Sequence, residues 1–217
     1  MPILFEACVD SVAGSVAAER GGARRLELCA NLGEGGTTPS AGMIAAVKAA
    51  VKIPVFVIVR PRGGDFVHTQ DELGVMRLDI EAARMLGADG VVIGALTPDG
   101  RVDEEQTRVL MDAAGALPVT FHKAFDHTRD RAEALETLMR LRVERVLTSG
   151  GAVTALEGAE EIAALVRRAA GQIVVMAGGK VREDSVQELV HRARVTEVHA
   201  RLTDEGRVRE LVRLANA

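Results

Sequence analysis

The segment Val55-Phe-Val-Ile-Val59 is apolar at every position, so both faces of the strand that it predicts would be covered by protein. Strands buried on both faces are typical of parallel sheets, because helices pack on each side of such sheets. The segment Gly87-Ala-Asp-Gly90 follows a predicted helix and precedes another apolar run, as the junction between a helix and the next strand does. Together the two segments predict an α/β protein with a parallel sheet.

Short runs rich in β-branched residues alternate with longer helical patterns along the rest of the chain. The predicted strands are at residues 4–9, 25–30, 54–60, 90–95, 118–122, 145–148, 172–176 and 197–200. The predicted helices are at residues 11–20, 40–50, 71–86, 103–114, 131–141, 155–169, 182–191 and 204–214. Helix N-caps are expected at Ser11, Ser40, Asp71 and Asp103.

Eight strand–helix units of about 27 residues each predict a TIM (β/α)8 barrel, with residues 1–217 as one domain. The alternative is an open doubly wound sheet. That alternative is disfavoured by the number of units and by the lack of a G-x-G-x-x-G motif after the first strand.

The composition excludes several classes of function. The 217 residues include five Phe but no Trp or Tyr, so the aromatic platforms that stack on single-stranded nucleic acid are nearly absent. The formal net charge of −4 also disfavours nucleic acid. No apolar run reaches the length of about 18–20 residues that spans a membrane, and the first residues lack the basic region of a signal peptide. We therefore expect a cytoplasmic protein that binds neither nucleic acid nor membranes.

Polar residues follow the predicted strands at their C-terminal ends, where TIM barrels carry their functional sites. Alternation along the strands points Glu6 and Cys8 to one side of the first strand and points Glu27 and Cys29 inward from the second. A buried carboxylate requires a partner. The partners available at the other strand ends are Arg60, His122, Lys123 and His199.

Cys8 and Cys29 end neighbouring strands, which lie about 4.8 Å apart in a sheet. Two thiolates with few other ligands suit Cu(I), and they could also contribute to a Zn²⁺ site. In the alternative interpretation both cysteines are small buried apolar residues. The lack of a C-x-x-C motif in the sequence favours this alternative. Two cysteines are too few for a disulfide framework, and thiols stay reduced in the cytoplasm.

A second group of residues is expected to bind an anion. Arg60 and Arg62 flank a proline and precede Gly63-Gly64, as in a rigid turn that presents a guanidinium group; the alternative is a structural ion pair with Asp65. Glycine pairs follow the sixth and seventh strands, near the loops that hold phosphate in many barrels, although plain turns would also use them. The candidate substrate- or anion-binding residues are Glu6, Arg60, Arg62, Lys123, Ser149, Gly178 and Gly179.

If the protein is an enzyme, a carboxylate–histidine pair at the barrel mouth could move protons. The candidate catalytic residues are Glu27, His122, Asp126 and His199. The reaction would be that of a lyase, isomerase or hydrolase on a small anionic compound, phosphorylated or not, and no organic cofactor is implied. Either histidine of this set could instead be simply hydrogen-bonded. We expect the remaining histidines to lie on loops or helix surfaces; these are His68, His127 and His191.

Several longer strings occur together and in order. They include Glu6-Ala-Cys8-Val-Asp10-Ser11, Arg25-Leu-Glu-Leu-Cys29, Val59-Arg-Pro-Arg-Gly-Gly-Asp-Phe66 and Thr120-Phe-His-Lys-Ala-Phe-Asp126. In these strings the chain resembles the CutC family of copper homeostasis proteins, from about Phe5 to His199. The resemblance implies a cytoplasmic TIM barrel that forms a homodimer or higher homo-oligomer. It also implies copper binding and trafficking, with Cys8 and Cys29 at the positions of the family's cysteines. The resemblance does not imply a particular enzymatic reaction.

The chain departs from the family pattern at the barrel mouth. Lys123 stands where the family usually has arginine, and Ala177 stands where it usually has proline. Lys180 and Arg201 replace small residues. We expect these departures to affect ligand specificity more than the fold or the cysteines.

Overall fold

The computed structural model describes residues 2–217 and contains a closed barrel of eight parallel strands. Each strand pairs with the next in chain order, and the eighth pairs with the first. The strands are β1 (Leu4–Val9), β2 (Arg25–Leu28), β3 (Val55–Ile58), β4 (Gly90–Ile93), β5 (Val119–Phe121), β6 (Arg145–Thr148), β7 (Val174–Gly178) and β8 (Glu197–Ala200). The predicted TIM barrel is confirmed.

A helix follows each strand. The helices are α1 (Val12–Gly21), α2 (Ala41–Ala50), α3 (Gln70–Met85), α4 (Glu104–Ala114), α5 (Arg131–Leu141), α6 (Ala159–Ala169), α7 (Val186–Ala193) and α8 (Glu205–Ala215). Short 3₁₀ helices follow β2 at Leu32–Glu34 and β5 at Lys123–His127. Within residues 2–217, no helix combines the length and apolar character needed to cross a membrane.

Three predicted helix starts were wrong, those of α3, α6 and α7, and α7 begins at Val186 instead of residue 182. Thr69 rather than Asp71 caps α3, because its hydroxyl accepts a hydrogen bond from the Glu72 N–H while the Glu72 carboxylate accepts one from the Thr69 N–H. The helix α6 begins at Ala159 instead of residue 155. Its preceding turn is held to the β7 end of the barrel, where the Ala155 N–H donates to the Gly179 carbonyl.

Most apolar side chains lie between the strands and the surrounding helices, with Phe5, Leu26 and Phe121 fully buried there. Within the barrel there is a smaller apolar cluster, which consists of Cys8, Cys29, Phe56, Ile58 and Val92. Both cysteines therefore lie on an apolar layer inside the barrel, and the polar residues at its mouth surround them.

Candidate functional site

Cys8 and Cys29 lie side by side at the mouth of the barrel. Cys8 is in β1 and Cys29 directly follows β2, and their Sγ atoms are 3.7 Å apart. Because β1 pairs with β2 with Cys8 opposite Glu27, the side chain of Glu27 joins them, with its Oε2 3.5 Å from the Cys29 Sγ. All three side chains are buried. The expected approach of the two sulfur atoms is confirmed.

These three residues can hold a metal ion. One donor atom from each lies within 4.8 Å of the others. A metal–sulfur bond is about 2.3 Å long, so a single ion can contact two sulfur atoms that are 3.7 Å apart. Thiolate sulfur favours soft ions such as Cu(I), and it also binds zinc. The donor set therefore fits a soft cation.

His199 connects the cysteines to a buried carboxylate. Its Nδ1 donates to Glu6 Oε1 at 2.8 Å, and its Nε2 lies 3.6 Å from Glu27 Oε2. Burial alone would lower the pKa of His199, but the charges of Glu27 and Glu6 and a hydrogen bond with Cys8 raise it well above its usual value. The surrounding carboxyl groups therefore favour the protonated form of the imidazole.

The two thiols titrate in opposite directions. A hydrogen bond from Cys29 lowers the pKa of the Cys8 thiol, burial opposes the change, and His199 lowers the pKa further, to about 5. The same hydrogen bond, together with burial, raises the pKa of Cys29 well above its usual value. Burial and the Cys8 thiolate raise the pKa of Glu27 to about 8. The thiolate is therefore favoured at Cys8, Cys29 keeps its proton more firmly than a free thiol, and Glu27 ionises less readily than a free carboxyl.

Beneath the site lies a chain of buried ion pairs that the sequence analysis missed. The Arg25 guanidinium donates to both Glu6 and Glu197, and Arg145 Nε donates to Glu197 Oε2 at 2.6 Å. The expected partners of Glu6, apart from His199, were therefore wrong. Alternation along β2 could have revealed Arg25, which lies two residues before the inward Glu27, since residues i and i+2 share a face.

This chain of ion pairs makes stability depend on pH. Burial would raise the pKa of the Glu6 carboxyl, but Arg25 and His199 outweigh it and lower the pKa from 4.5 to about 2. A carboxyl with a lowered folded-state pKa contributes stability above its unfolded pKa and loses it as the pH falls through its folded pKa. We expect Glu6 to contribute about 3 kcal/mol at neutral pH, a contribution that fades between about pH 4.5 and pH 2.

Urea denaturation at a series of pH values measures this contribution. Glu6→Gln should lower the free energy of unfolding at neutral pH and flatten its decline in acid. The same substitution at exposed Glu105 is the control and should leave both features unchanged. A Glu6→Gln variant with the native acid profile would contradict the assignment.

A cavity of about 370 Å³ opens over Cys8. Cys8, Glu27 and His199 lie on one side of it. Other lining residues are Glu34, Ile58, Arg60, Phe66, His122, Lys123, His127 and Leu147. The cavity therefore brings together six of the predicted site residues, while Glu6 lies buried beneath His199.

The two predicted arginines differ in their surroundings. Arg60 is buried, with its Nη1 donating to the carbonyls of Glu34 and Gly36 and its Nη2 donating to the carbonyl of Gly64. Arg62 points away from the cavity and forms ion pairs with Glu72 and Asp65, as in the structural alternative. The turn at Pro61 therefore does not present both guanidinium groups to one anion.

His122 caps the 3₁₀ helix that follows β5. Its Nδ1 accepts a hydrogen bond from the Ala124 N–H at 3.1 Å, so the proton of the neutral ring is on Nε2. Burial, followed by the charge of Arg60, lowers the pKa of His122 to about 3. The ring is therefore neutral, and its buried Nε2 has no hydrogen-bond partner.

Asp126 is engaged with the loop after β6. Its carboxylate accepts hydrogen bonds from the Thr148 hydroxyl, from the N–H and hydroxyl of Ser149, and from the Gly151 N–H. Lys123 Nζ lies 3.5 Å from the same carboxylate. The loop in which an external anion was expected thus surrounds a carboxylate of the chain itself.

The remaining predicted positions lie around β7 and β8. Gly178 leaves room for His199, since a Cβ there would lie 3.1 Å from the His199 Cβ. Gly179, with φ at 131°, borders Ser149 and Lys123. Besides Lys123, three residues depart from the family pattern. Ala177 is buried, Lys180 has a φ of 52°, and Arg201 is exposed.

One of the three histidines assigned to the surface was misplaced. His68 is buried, and its Nε2 lies 3.2 Å from the Gly94 carbonyl. His127 is exposed at the end of the 3₁₀ helix after β5, and it also lines the cavity, where its ring lies 5.3 Å from that of Phe66. His191 is exposed on α7. The position of His68 in the segment after β3 did not indicate that its side chain would be buried.

Comparisons with known proteins identify the family of the chain. The CutC family model matches residues 3–203. A copper homeostasis protein cutC homolog of Homo sapiens is 53% identical over 90% of this chain and 72% of its own length. A family protein CutC of Xylella fastidiosa (strain 9a5c) is also 53% identical, over 90% of this chain and 73% of its own.

Solved structures show the same fold. The crystal structure of a copper homeostasis protein CutC from Streptococcus agalactiae has a TM-score of 0.87 and 35% identity, over 91% of this chain and 97% of that one. N-(5′-phosphoribosyl)anthranilate isomerase from Pyrococcus furiosus has a TM-score of 0.65 and 15% identity, over 98% of both chains. That second likeness shows the barrel fold alone. From the family match and these identities, the chain belongs to the CutC family.

Proposed function

We propose that this protein acts in copper homeostasis by binding one Cu(I) ion between Cys8 and Cys29. The observation that carries the proposal is the pair of buried sulfur atoms 3.7 Å apart at the mouth of the barrel. The names of the human and Streptococcus agalactiae relatives support a copper role. In this proposal copper is the protein's cargo and takes part in no reaction.

The donor set favours Cu(I) over Zn²⁺. Structural zinc sites use four ligands, whereas the cluster within residues 2–217 supplies two sulfur atoms and one carboxylate. The carboxylate, from Glu27, offers a hard oxygen that suits Cu(I) less well than a thiolate does. Two soft sulfur ligands suit a monovalent copper ion that takes few ligands.

A competition titration tests the proposal. The reduced protein, kept free of oxygen, should take one Cu(I) per chain from a chromophoric Cu(I) chelator. Alkylation of both thiols before the titration should abolish this transfer. No transfer from the chelator, or equal transfer after alkylation, would contradict the proposal.

We also propose that the protein works in the cytoplasm as a homodimer or higher homo-oligomer. A reducing compartment keeps Cys8 and Cys29 as thiols. Val75, Leu78 and Met85 are exposed on α3, with Met85 80% exposed, and a second copy of the chain would cover them. Sedimentation in reducing buffer should show an assembly larger than one chain, and a monomer at all concentrations would contradict this part of the proposal.

A second candidate function is catalysis on a small anionic compound by a lyase, isomerase or hydrolase. One observation favours it, namely the buried Arg60 guanidinium on the cavity wall, whose hydrogen bonds go to carbonyl groups. In that function His199, which bonds to Glu6 and lies beside Glu27, would transfer a proton. Binding of an anion in the cavity is the first requirement of this candidate.

A further inference from the structure

Two hydrogen-bond donors of the cavity-lining residues have no partner. They are Arg60 Nε and His122 Nε2, and both atoms are buried. Arg60 also has no carboxylate partner among residues 2–217, since its three hydrogen bonds go to backbone carbonyls. Buried polar groups are nearly always hydrogen-bonded, and an uncompensated buried charge is costly. This pair of donors therefore points to a missing acceptor that carries negative charge.

Phe66 covers both groups. The Arg60 guanidinium carbon lies 4.8 Å from the centre of the Phe66 ring, and the centre of the His122 ring lies 5.1 Å from it. The His122 ring is fixed from the other side, because it lies so close to Gly94 that a Cβ at that position would overlap it. Both donor atoms are buried, so a ligand that reaches them must move a neighbouring side chain, and Phe66 contacts both groups.

We propose that Arg60 and His122 bind the carboxylate of a small organic acid whose apolar body occupies the cavity. Arg60 Nε–H and His122 Nε2–H donate to the carboxylate oxygens. The apolar body packs against Ile58, Leu147 and the displaced Phe66 ring, which all line the cavity. This inference deepens the second candidate function by naming its ligand class, and it does not depend on copper.

The charges favour a monoanion over a phosphate dianion. Arg60 supplies one positive charge, and the neutral His122 supplies a donor without charge. Lys123, a second cation on the wall, lies 3.5 Å from Asp126, and His199 is paired with Glu6. Glu34 adds a negative group to the lining. The Ser149 and Gly151 N–H groups, which could have received a phosphate, already donate to Asp126.

Calorimetry on the reduced, metal-free protein tests the site with chosen probes. Acetate and benzoate provide the carboxylate without and with an apolar body, benzamide is the neutral isostere of benzoate, and inorganic phosphate is the competing anion. We expect saturable binding of both carboxylates, tighter for benzoate, and no measurable binding of benzamide. In Phe66→Trp, which would be the only tryptophan of the sequence, benzoate should change the emission spectrum.

The variant His122→Asn separates the ligand contact from the fold. Asparagine is a favoured N-cap residue whose side-chain oxygen can still accept from the Ala124 N–H, but it lacks the Nε2 donor. Benzoate should bind about 10- to 100-fold more weakly, as expected for one lost hydrogen bond to a charged group. Glu105→Gln, at an exposed position outside the cavity, should bind benzoate as the native protein does.

Three results would overturn the inference. The first is the absence of saturable binding of acetate and benzoate, and the second is native benzoate affinity in His122→Asn. The third is tighter binding of phosphate than of benzoate, which would leave the second candidate function standing with another ligand class. The Cu(I) titration decides the copper proposal separately.

Discussion

Replacing Cys8 with serine should lower the affinity of the protein for Cu(I) by more than about 100-fold. Loss of a residue that only supports a metal ligand already lowers metal affinity by about 10- to 100-fold, and Cys8 would be a ligand itself. Serine has nearly the shape of cysteine but offers a hard hydroxyl in place of the thiolate. Cys29→Ser should cause a loss of the same order, since the sulfur atoms lie 3.7 Å apart and would share one ion. The chelator competition of the reduced proteins measures both affinities.

Matched variants show whether the loss belongs to the sulfur atoms. Glu27→Gln keeps the size of the third donor and should change the affinity for Cu(I) far less than either serine substitution. His122→Asn, on the other wall of the cavity, should leave it unchanged. Native affinity in both serine variants, with folding verified by circular dichroism, would refute binding between the cysteines.

Replacing Arg25 with methionine should lower the free energy of unfolding by about 3–5 kcal/mol, as expected when one partner of a buried ion pair is removed. Arg25 donates to Glu6 and Glu197, and all three side chains are buried. Methionine fills much of the same volume, so the loss would come mainly from two carboxylates left without this cation. Urea denaturation at neutral pH measures the change.

An exposed arginine provides the control. Arg192 pairs with Glu160 and Glu188 on the surface of the protein, where such pairs contribute about 0–1 kcal/mol. Arg192→Met should therefore have little effect. Adding Glu6→Gln to Arg25→Met should restore part of the lost stability, because it removes one unpaired charge. Equal losses in the two arginine variants would contradict a structural role for the buried ion pairs.

The fold and the cysteine pair could be predicted because both depend on short-range regularities. Eight apolar runs separated by helical patterns define the barrel, and alternation along β1 and β2 places Cys8 beside Cys29. The contact between Glu6 and His199 depends instead on closure of the barrel, in which β1 pairs with β8 and those two residues stand opposite each other. Nothing within either strand indicates that pairing.

The anion-binding residues were harder to assign for a different reason. The residues Arg60 and Asp126 both make several hydrogen bonds to backbone groups of neighbouring loops. Sequence patterns report side-chain types, whereas these bonds depend on the path of each loop. The sequence therefore predicts that these side chains lie near the mouth of the barrel. It does not indicate which of them keeps a hydrogen-bond donor without a partner.

X-ray absorption spectroscopy at the copper edge tests the central claim most directly. The reduced protein loaded with one Cu(I) per chain should show two sulfur atoms at a distance of about 2.2–2.3 Å, and it should lose this signal in Cys8→Ser. Coordination by nitrogen and oxygen alone would contradict the account of Cys8 and Cys29 as the copper ligands.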